Sequence, residues 1–323
     1  MKSDKASSRK IQWGGLPFHS LSWDLQQRFG KKLYKLSLDG GMTCPNRDGT
    51  LGRGGCIFCS AGGSGDFAAP RQEDLNLQIQ EAKAQIAGKA KDLEPPSYIA
   101  YFQSYTNTYA PLDHLEKLFF AAAAHPDTAV LSIATRPDCL AEPVIALLSK
   151  VNQIKPVWVE LGLQTIHERA AEYIRRGYPL SCFEEAAENL RSRGIEVIVH
   201  TILGLPGESR EDICATMEYL NEKDIQGVKL QLLHVLKGTD LAYDYAAGKF
   251  RVFESEEYLD VLIACLERLR PEIVIHRITG DGPKELLLAP LWASRKREVL
   301  NLLHRRMKEL GSYQGKQYIS LHK

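Results

Sequence analysis

The strongest constraint on the fold of this chain is a regular alternation of strand-like and helix-like segments between about residues 33 and 270. Short runs rich in β-branched and aromatic residues predict strands, and longer runs with apolar residues on one face predict helices. Six strand–helix units follow one another. Such an alternation indicates parallel strands joined by right-handed crossovers, and two architectures satisfy it: a doubly wound open sheet or a barrel.

The predicted elements cover most of the chain. The strands are residues 33–38, 98–102, 129–134, 157–162, 196–202 and 228–233. The helices are residues 72–88, a segment from 111, 142–151, a segment from 166, 181–193, a segment from 209, and 255–270. Ser181 with Glu184 has the spacing of a capping box, and Ser209 with Asp212 is predicted to open the next helix. A seventh strand-like run, 273–278, and a helix, 293–310, are predicted to form an extension.

Polar side chains follow nearly every predicted strand. They are three cysteines, residues 103–108, residues 135–138, Gln164 and Thr165, His200 and Thr201, and His234. A barrel brings all loops after its strands to one end, so this distribution favours a barrel over an open sheet. We therefore expect an α/β fold with an N-terminal extension (1–30), a partial barrel (31–272) and a C-terminal extension with a basic helix (273–323).

The loop after the first strand holds Cys44, Cys56 and Cys59, three of the seven cysteines. Glycines between them allow the loop to fold three thiolates around one centre. A structural zinc site or an ordinary ferredoxin cluster has four protein ligands, whereas three would leave one metal corner open. On a 4Fe-4S cluster, a small molecule can bind iron at that corner. The alternatives are a zinc knuckle completed by a histidine and three unrelated buried cysteines.

Composition indicates where the protein works. The first ten residues lack the apolar middle of a signal peptide, and no apolar run approaches membrane-spanning length, so we expect a cytoplasmic protein with reduced cysteines and no membrane partner. The net charge of +1 gives no strong overall attraction to nucleic acid. From Lys284 onward, however, nine basic residues accompany three acidic ones. This segment is either a nucleic-acid contact or a solvated helix face.

An open iron requires a ligand with an amine and a carboxylate, and S-adenosylmethionine offers both. A turn with exposed backbone suits its adenine, polar side chains suit its ribose and amine, and a cation suits its carboxylate. The candidates in that order are Gly204, Leu205, Pro206 and Gly207; then Asn107, Gln164 and Thr165; then Arg136. Arg136 has an equally good alternative partner in Asp138.

Several motifs resemble the radical S-adenosylmethionine superfamily. They are Phe58 directly before the last cysteine, the adenine-site-like run 202–207, and the segments 160–165 and 175–178. The wide gap between Cys44 and Cys56 is similar to that of the Elongator catalytic-subunit group. The runs 39–46, 103–108, 233–239 and 276–281 resemble the YhcC/YtqA-type radical proteins more closely.

This resemblance runs from about residue 31 to 303, and it implies a partial (β/α)6 barrel with a 4Fe-4S cluster on Cys44, Cys56 and Cys59. It further implies reductive cleavage of S-adenosylmethionine to a 5′-deoxyadenosyl radical, with an electron donor such as a flavodoxin or ferredoxin. The Gly-Gly-Glu-like run that binds the methionine amine in this superfamily is absent, and residues 103–108 stand in its place.

The resemblance also implies a substrate. Elongator-like relatives act on the wobble uridine of tRNA, and YtqA-type members are associated with trimming its carboxymethylaminomethyl group to aminomethyl. Candidates for the substrate end are His234, Lys237, His276, Arg277 and Asp281, and candidates for stacking on a base are Tyr105, Tyr109 and Trp292. His234 and the aromatic residues could instead belong to the core. Two other functions remain open: radical chemistry on a porphyrin-like small molecule, and a zinc-stabilised RNA-binding module without catalysis.

Overall fold

A sheet of seven parallel strands is the centre of the computed structural model, which describes residues 13–89, 94–95, 97–280 and 282–319. Its strands are β1 (Tyr34–Leu38), β2 (Tyr98–Phe102), β3 (Thr128–Thr135), β4 (Val157–Gln164), β5 (Glu196–Leu203), β6 (Gly227–Leu232) and β8 (Val274–Arg277). They lie side by side in that order. Two short antiparallel strands, β7 (Val235–Leu236) and β9 (Leu287–Ala289), pair with each other beyond β6.

Helices follow most of the strands. They are α1 (Leu21–Phe29), α2 (Leu75–Ile86), α3 (Leu112–Ala124), α4 (Glu142–Asn152), α5 (Glu168–Tyr173), α6 (Leu180–Ser192), α7 (Arg210–Asn221), α8 (Asp240–Ala246), α9 (Ser255–Arg268) and α10 (Lys296–Glu309). Short 3₁₀ turns lie at Pro137–Cys139 and Leu291–Ser294. No helix of the described residues is both long and apolar enough to cross a membrane.

The strand order confirms the predicted barrel-type fold. A doubly wound sheet reverses its strand order at a switch point, whereas here each strand lies beside its predecessor in the sequence. The sheet curls into a partial barrel. The predicted extension strand, 273–278, differs from the expectation, because Val274–Arg277 pairs in parallel with β6 and continues the sheet. The partial barrel therefore has seven strands rather than six.

Alternate residues of each strand face opposite sides of the sheet. One side packs under the surrounding helices and forms the main apolar core. On the other, concave side, the lower ends of four strands contribute an apolar layer: Ile99, Val130, Trp158 and Ile198. Helix α1 covers this layer with Leu25, Leu21 and Phe29. The lower end of the half-barrel is thus closed by a helix from the predicted N-terminal extension.

Helix α1 was not among the predicted elements, although the sequence carries a signal for both of its ends. Ser20 caps its first turn by accepting a hydrogen bond from the backbone N–H of Trp23 (3.3 Å), and Gly30 ends it with a left-handed φ of 68°. Next to it, the backbone N–H of Ile275 donates to the carbonyl of His19 (2.7 Å). The N-terminal segment therefore continues the hydrogen bonding of the sheet beside β8.

Candidate active site

The three cysteines line one cavity of about 870 Å³ at the carboxyl ends of the strands. Cys44, Cys56 and Cys59 are all free and partly exposed. Cys56 and Cys59 belong to one tight turn, in which the backbone N–H of Cys59 donates to the carbonyl of Cys56 (3.0 Å). The loop after β1 therefore presents three thiols to a shared space, as the cysteine spacing predicts.

The segment after β2 holds one side of the cysteine loop. Tyr105 has a left-handed φ of 58°, and its hydroxyl donates to the carbonyl of Ala61 (2.7 Å). Its ring lies where a side chain at Gly63 would project, so this position requires glycine. Arg47 donates to the carbonyls of Cys59 (3.1 Å) and Ser60 (2.6 Å). These contacts fix the backbone at the last cysteine and in the residues that follow it.

The opposite side of the loop is held by the connection between α5 and α6. Asn46 donates from its side-chain amide to the carbonyl of Arg175 (2.8 Å) and lies 3.6 Å from the Cys56 sulfur. Ile57 packs into a small apolar cluster that also contains Ile202 and Leu205. The cysteine loop is therefore held against the α5–α6 connection and the end of β5, far along the chain from β1.

The thiolates of Cys44, Cys56 and Cys59 fit a cluster in which each of them would bind a different iron. Burial, followed by the nearby Cys59, raises the pKa of the Cys56 thiol to about 12, and coordination of a metal removes such a proton. In the described ranges, no three side chains of His, Cys, Asp or Glu are gathered closely enough to hold one ion. A cubane cluster needs no such convergence.

Gln164 and Gln103 supply the polar wall that a cofactor with an amine and hydroxyls requires. Gln164 ends β4 with a left-handed φ of 65°, at a register shift against β5. Both glutamines line the cavity, and the Gln164 Oε1 and Gln103 Nε2 atoms are buried without a hydrogen-bond partner among the described residues. Buried polar atoms are normally satisfied, so these two atoms fit a polar ligand in the cavity.

The candidates Asn107, Thr165 and residues 204–207 are not among the described residues that line the cavity. Asn107 is buried and donates to the carbonyl of Ala134 (2.9 Å). Thr165 is also buried and donates its hydroxyl to Glu208. In the turn from Gly204 to Gly207, Leu205 packs in the same apolar cluster as the cavity-lining Ile202. Their roles toward S-adenosylmethionine stay predictions.

Arg136 lines the cavity, but its guanidinium is already engaged. It forms two hydrogen bonds with Asp138, at 2.9 and 2.7 Å, and a third with the carbonyl of Arg176 (3.0 Å). The structure therefore has the Asp138 pairing that the sequence left open. A carboxylate of the cofactor would have to share Arg136 with Asp138, so this contact stays a prediction.

The substrate-end candidates separate into two groups. His234 and Arg277 line the cavity, and the backbone of Gly280 and Gly282 packs against the His234 ring. Lys237, by contrast, is exposed on the turn after β7 and is not part of the cavity wall. His276 lies edge-on to Trp158 at 5.3 Å between ring centres. Asp281 lies outside the described residues.

Between the apolar layer and the cysteines, the concave face carries a layer of polar and charged residues. Of its members, only His200 was predicted from the sequence to lie among the polar residues at the strand ends. We call it the charged layer; its members are Lys35, Tyr101, Ser132, Glu160, His200 and Lys229. They come from six consecutive strands. The available signal was a charged residue inside an apolar strand, as in Tyr34-Lys35-Leu36, Val159-Glu160-Leu161 and Val228-Lys229-Leu230, because such residues are rarely buried without a partner.

Glu160 is the centre of the charged layer. Its Oε1 accepts from the Ser132 hydroxyl (2.7 Å) and from Lys35 Nζ (3.3 Å). Its Oε2 lies 2.7 Å from His200 Nε2 and accepts from Lys229 Nζ. Although burial opposes its charge, the two lysines hold the pKa of Glu160 well below its ordinary value. Both carboxylate oxygens are therefore fully occupied.

Burial lowers the pKa values of the basic side chains in the charged layer. It lowers the pKa of His200 to about 4, with repulsion from Lys229 as the next cause, so this imidazole is neutral at pH 7. Burial also lowers the pKa of Lys35 and, more strongly, of Lys229, in spite of their attraction to Glu160. The layer therefore holds more basic groups than its one carboxylate neutralises.

The cavity as a whole is basic. Among the described residues that line it, eight are cationic: Lys35, Arg47, Lys89, Arg136, Arg176, Arg277, Lys284 and Lys296. Only three of those described lining residues are acidic: Asp66, Glu160 and Glu285. A chain with a net charge of +1 thus concentrates positive charge around its cavity. Such a concentration attracts anionic substrates.

A parallel half-barrel with three cysteines in the loop after its first strand defines a class of iron–sulfur enzyme. The chain matches the Radical SAM superfamily over residues 47–220, more than half its length, and the Radical_SAM C-terminal domain over residues 225–309. The chain belongs to the radical SAM superfamily. It is a radical SAM enzyme that uses a [4Fe-4S] cluster and S-adenosylmethionine, and the alternative of a zinc-stabilised module without catalysis was wrong.

Individual relatives agree with this membership. The chain is 46% identical over 299 residues to the protein YtqA of Bacillus subtilis (strain 168), covering 93% of this chain and 92% of that protein. It is 27% identical over 161 residues, or 49% of this chain and 29% of that protein, to the tRNA uridine(34) acetyltransferase of Methanocaldococcus jannaschii. The structure of Elp3 from Methanocaldococcus infernus has the same fold, with a TM-score of 0.62 at 20% identity, over 74% of this chain and 59% of that one.

Proposed function

We propose that this enzyme modifies tRNA at the wobble uridine and trims a carboxymethylaminomethyl side chain to aminomethyl. The observation that carries the proposal is the basic cavity, which eight described cations line, two of them, Arg136 and Arg176, in ion pairs with Asp138 and Glu168. Phosphates dominate the affinity of proteins for nucleic acid, and they require such charge. A relative named for its action on tRNA uridine 34 supports the same substrate class.

The size of the cavity suits two ligands. About 870 Å³ lies near the upper end of the range of about 300–1,000 Å³ for small-molecule sites. Such a volume can hold S-adenosylmethionine together with one nucleotide that has left its stack, as enzymes acting on a base require. The cationic lining would also suit the carboxylates of a porphyrin-like substrate, so the tRNA substrate is favoured by the relative named for its action on tRNA uridine 34.

An aromatic side chain at the cavity rim supports recognition of a base. Phe67 is 49% exposed and lines the cavity, although no sequence motif marks it. Two of the aromatic residues that the sequence suggested are engaged elsewhere: Trp292 donates to the carbonyl of Phe253 (3.1 Å), and the Tyr109 hydroxyl lies 2.9 Å from that of Thr50. Single-stranded bases commonly stack on exposed aromatic rings, which suits Phe67.

Each part of the chain has a defined task in this proposal. When bound, the cluster would supply the electron that cleaves S-adenosylmethionine to methionine and a 5′-deoxyadenosyl radical. That radical would take hydrogen from the methylene group next to the substrate carboxylate. Return of one electron to the cluster would leave an imine, and water would hydrolyse the imine to the aminomethyl product and glyoxylate. Cys44, Cys56 and Cys59 would hold three irons, and Gln164 would orient the polar part of S-adenosylmethionine. The half-barrel, closed below by α1, keeps water from the radical. An external one-electron donor such as a flavodoxin or ferredoxin would reduce the cluster.

The test is an anaerobic turnover assay with reconstituted protein, reductant, S-adenosylmethionine and tRNA from a strain that lacks the enzyme. We expect 5′-deoxyadenosine to form and carboxymethylaminomethyluridine to be converted to aminomethyluridine, as nucleoside analysis by mass spectrometry would show. Cys56→Ala should abolish both, because one iron loses its ligand. Cys182→Ala, a half-buried cysteine on α6, should retain both.

The assignment of the substrate and the assignment of the cluster ligands can be refuted independently. Formation of 5′-deoxyadenosine without any change in the tRNA nucleosides would refute the substrate but leave the radical chemistry intact. A Cys56→Ala variant that keeps a full complement of iron and its activity would refute the assignment of the cluster ligands.

A further inference from the structure

We propose that the charged layer recognises a carboxylate at the end of the substrate side chain, and that Lys35 is the residue that contacts it. This inference rests on the proposed function, because it identifies which part of the wobble nucleoside enters the half-barrel. It concerns residues on the strands, below the level of the cysteine loop.

The position of Lys35 makes it the accessible member of the layer. Its side chain is 24% exposed and lines the cavity, whereas the side chain of Lys229 is 1% exposed and lies behind it. Both ammonium groups lie 4.6 Å from the centre of the Tyr101 ring, so the two lysines contact the same aromatic side chain. A group that enters the cavity from the strand ends therefore meets Lys35 before Lys229.

Lys35 also has hydrogen-bonding capacity to offer. An ammonium group has three donors. Within the described part of the chain, Lys35 has one hydrogen-bond acceptor, Glu160, and at 3.3 Å this is the longest of the four contacts that Glu160 makes. Glu160 keeps Lys229 and His200 as partners if Lys35 turns toward a ligand. The layer can thus release Lys35 without leaving a buried carboxylate unpaired.

The charge of the layer favours binding of an anion. Two lysines face one described carboxylate, and Arg277 lies directly opposite Lys229 in the register of β6 and β8. Burial and repulsion from Arg277 both disfavour the charge on Lys35. A buried excess of positive charge is costly unless an anion neutralises it. A substrate carboxylate next to Lys35 would offset part of this excess.

The proposed substrate and product differ in the charge at the end of the wobble side chain. Carboxymethylaminomethyluridine ends in a carboxylate, which Lys35 would bind. Aminomethyluridine ends in an amine, which is protonated at neutral pH and would be repelled by the same lysine. Lys35 therefore distinguishes substrate from product and favours release of the product.

The test is a binding titration with two synthetic anticodon stem-loops that differ only at the wobble position, carboxymethylaminomethyluridine or aminomethyluridine. Reconstituted enzyme with S-adenosylmethionine but no reductant prevents turnover. We expect the wild-type protein to bind the carboxylate-bearing RNA about tenfold more tightly, the effect of one hydrogen bond to a charged group. Lys35→Met should abolish this preference, because it weakens binding of the carboxylate-bearing RNA and removes the repulsion of the aminomethyl RNA. Lys35→Arg should keep most of the preference.

The matched control is Lys150→Met, which removes an exposed lysine on α4 outside the cavity and should leave both affinities unchanged. Cluster absorbance and circular dichroism verify that each variant is folded, and Lys35→Gln replaces Lys35→Met if the latter is not. Equal binding of both RNAs by the wild type, or a preference that survives loss of Lys35, overturns this inference. Absence of binding to either RNA overturns the proposed function itself.

Discussion

Among single residues, Glu208 links two loops at the carboxyl end of the sheet. It follows the Gly204–Gly207 turn after β5, and it accepts a hydrogen bond from Thr165 after β4. Burial raises the pKa of Glu208 to about 7, although the Thr165 hydroxyl acts in the opposite direction. The carboxyl group is therefore held in a place that favours its neutral form. This makes the junction between the two loops sensitive to pH.

Replacement by a neutral isostere should reveal this sensitivity. Glu208 loses its proton near pH 4.5 in the unfolded chain and near pH 7 in the folded protein. The folded state therefore binds this proton more tightly, and the resulting stabilisation is complete below about pH 4.5 and is lost as the pH rises through about 7. Glu208→Gln should therefore match the wild type near pH 5 and exceed its free energy of unfolding by about 1–3 kcal/mol near pH 8. Urea titrations at both pH values measure this difference.

The control for this experiment is Glu188→Gln, an exposed glutamate on α6 without a described partner. Its effect should be small and the same at both pH values. A Glu208→Gln variant whose advantage does not change with pH would contradict the proposed state of the carboxyl group.

Among the secondary-structure elements, two helices with similar sequence signals begin differently. Helix α7 has the capping box that its sequence predicts: Ser209 accepts from the backbone N–H of Asp212, and the Asp212 side chain accepts from the backbone N–H of Ser209. The capping box predicted for α6 at Ser181 is wrong, because Pro179 is the N-cap residue and no side chain caps the helix. Glu184 instead accepts from Lys223 (2.7 Å).

The two serines should consequently differ in their effect on stability. Ser209→Ala removes a cap and should lower the free energy of unfolding by about 1 kcal/mol. Ser181→Ala removes an exposed hydroxyl without a capping bond and should change it by less than about 0.5 kcal/mol. Urea titrations of the two variants measure both values. Equal losses would mean that Ser181 caps α6 in solution.

Across the molecule as a whole, the fold divides the basic C-terminal residues into two groups. Lys284 and Lys296 line the cavity. On the outer part of α10, Arg306 forms ion pairs with Glu256 and Asp260, and Arg305 lies 3.9 Å from Glu309. The sequence alone treats all of them as one patch. The fold indicates that only the first group can contact an RNA that enters the cavity.

Salt-dependent binding of tRNA should separate these groups. Lys284→Gln should weaken binding and reduce the slope of log affinity against log salt concentration by about one, because one phosphate contact is lost. Arg305→Gln serves as the matched control and should leave the slope nearly unchanged, because this residue is paired on the outer face. An equal change in both variants would place the RNA along α10 rather than at the cavity.

Local sequence patterns were sufficient to predict the repeating part of the fold and the cysteine loop. Alternating apolar segments identified the six strands from β1 to β6 and most helices between them, and the loop of Cys44, Cys56 and Cys59 was located from its spacing alone. The motifs around them also identified the superfamily. These features need only short-range information, because strand alternation, helix periodicity and turn glycines are properties of neighbouring residues.

Contacts between distant residues, by contrast, became known only from the folded chain. Lys35 and Lys229 come from opposite ends of the barrel segment and share Glu160, which no local pattern indicates. The same holds for α1, which closes the lower end, and for β8, which joins the sheet beside β6. The physical reason is that curling a parallel sheet brings side chains from all of its strands onto one concave face. The burial and the ion pairs of each side chain there depend on residues that are far apart in the sequence.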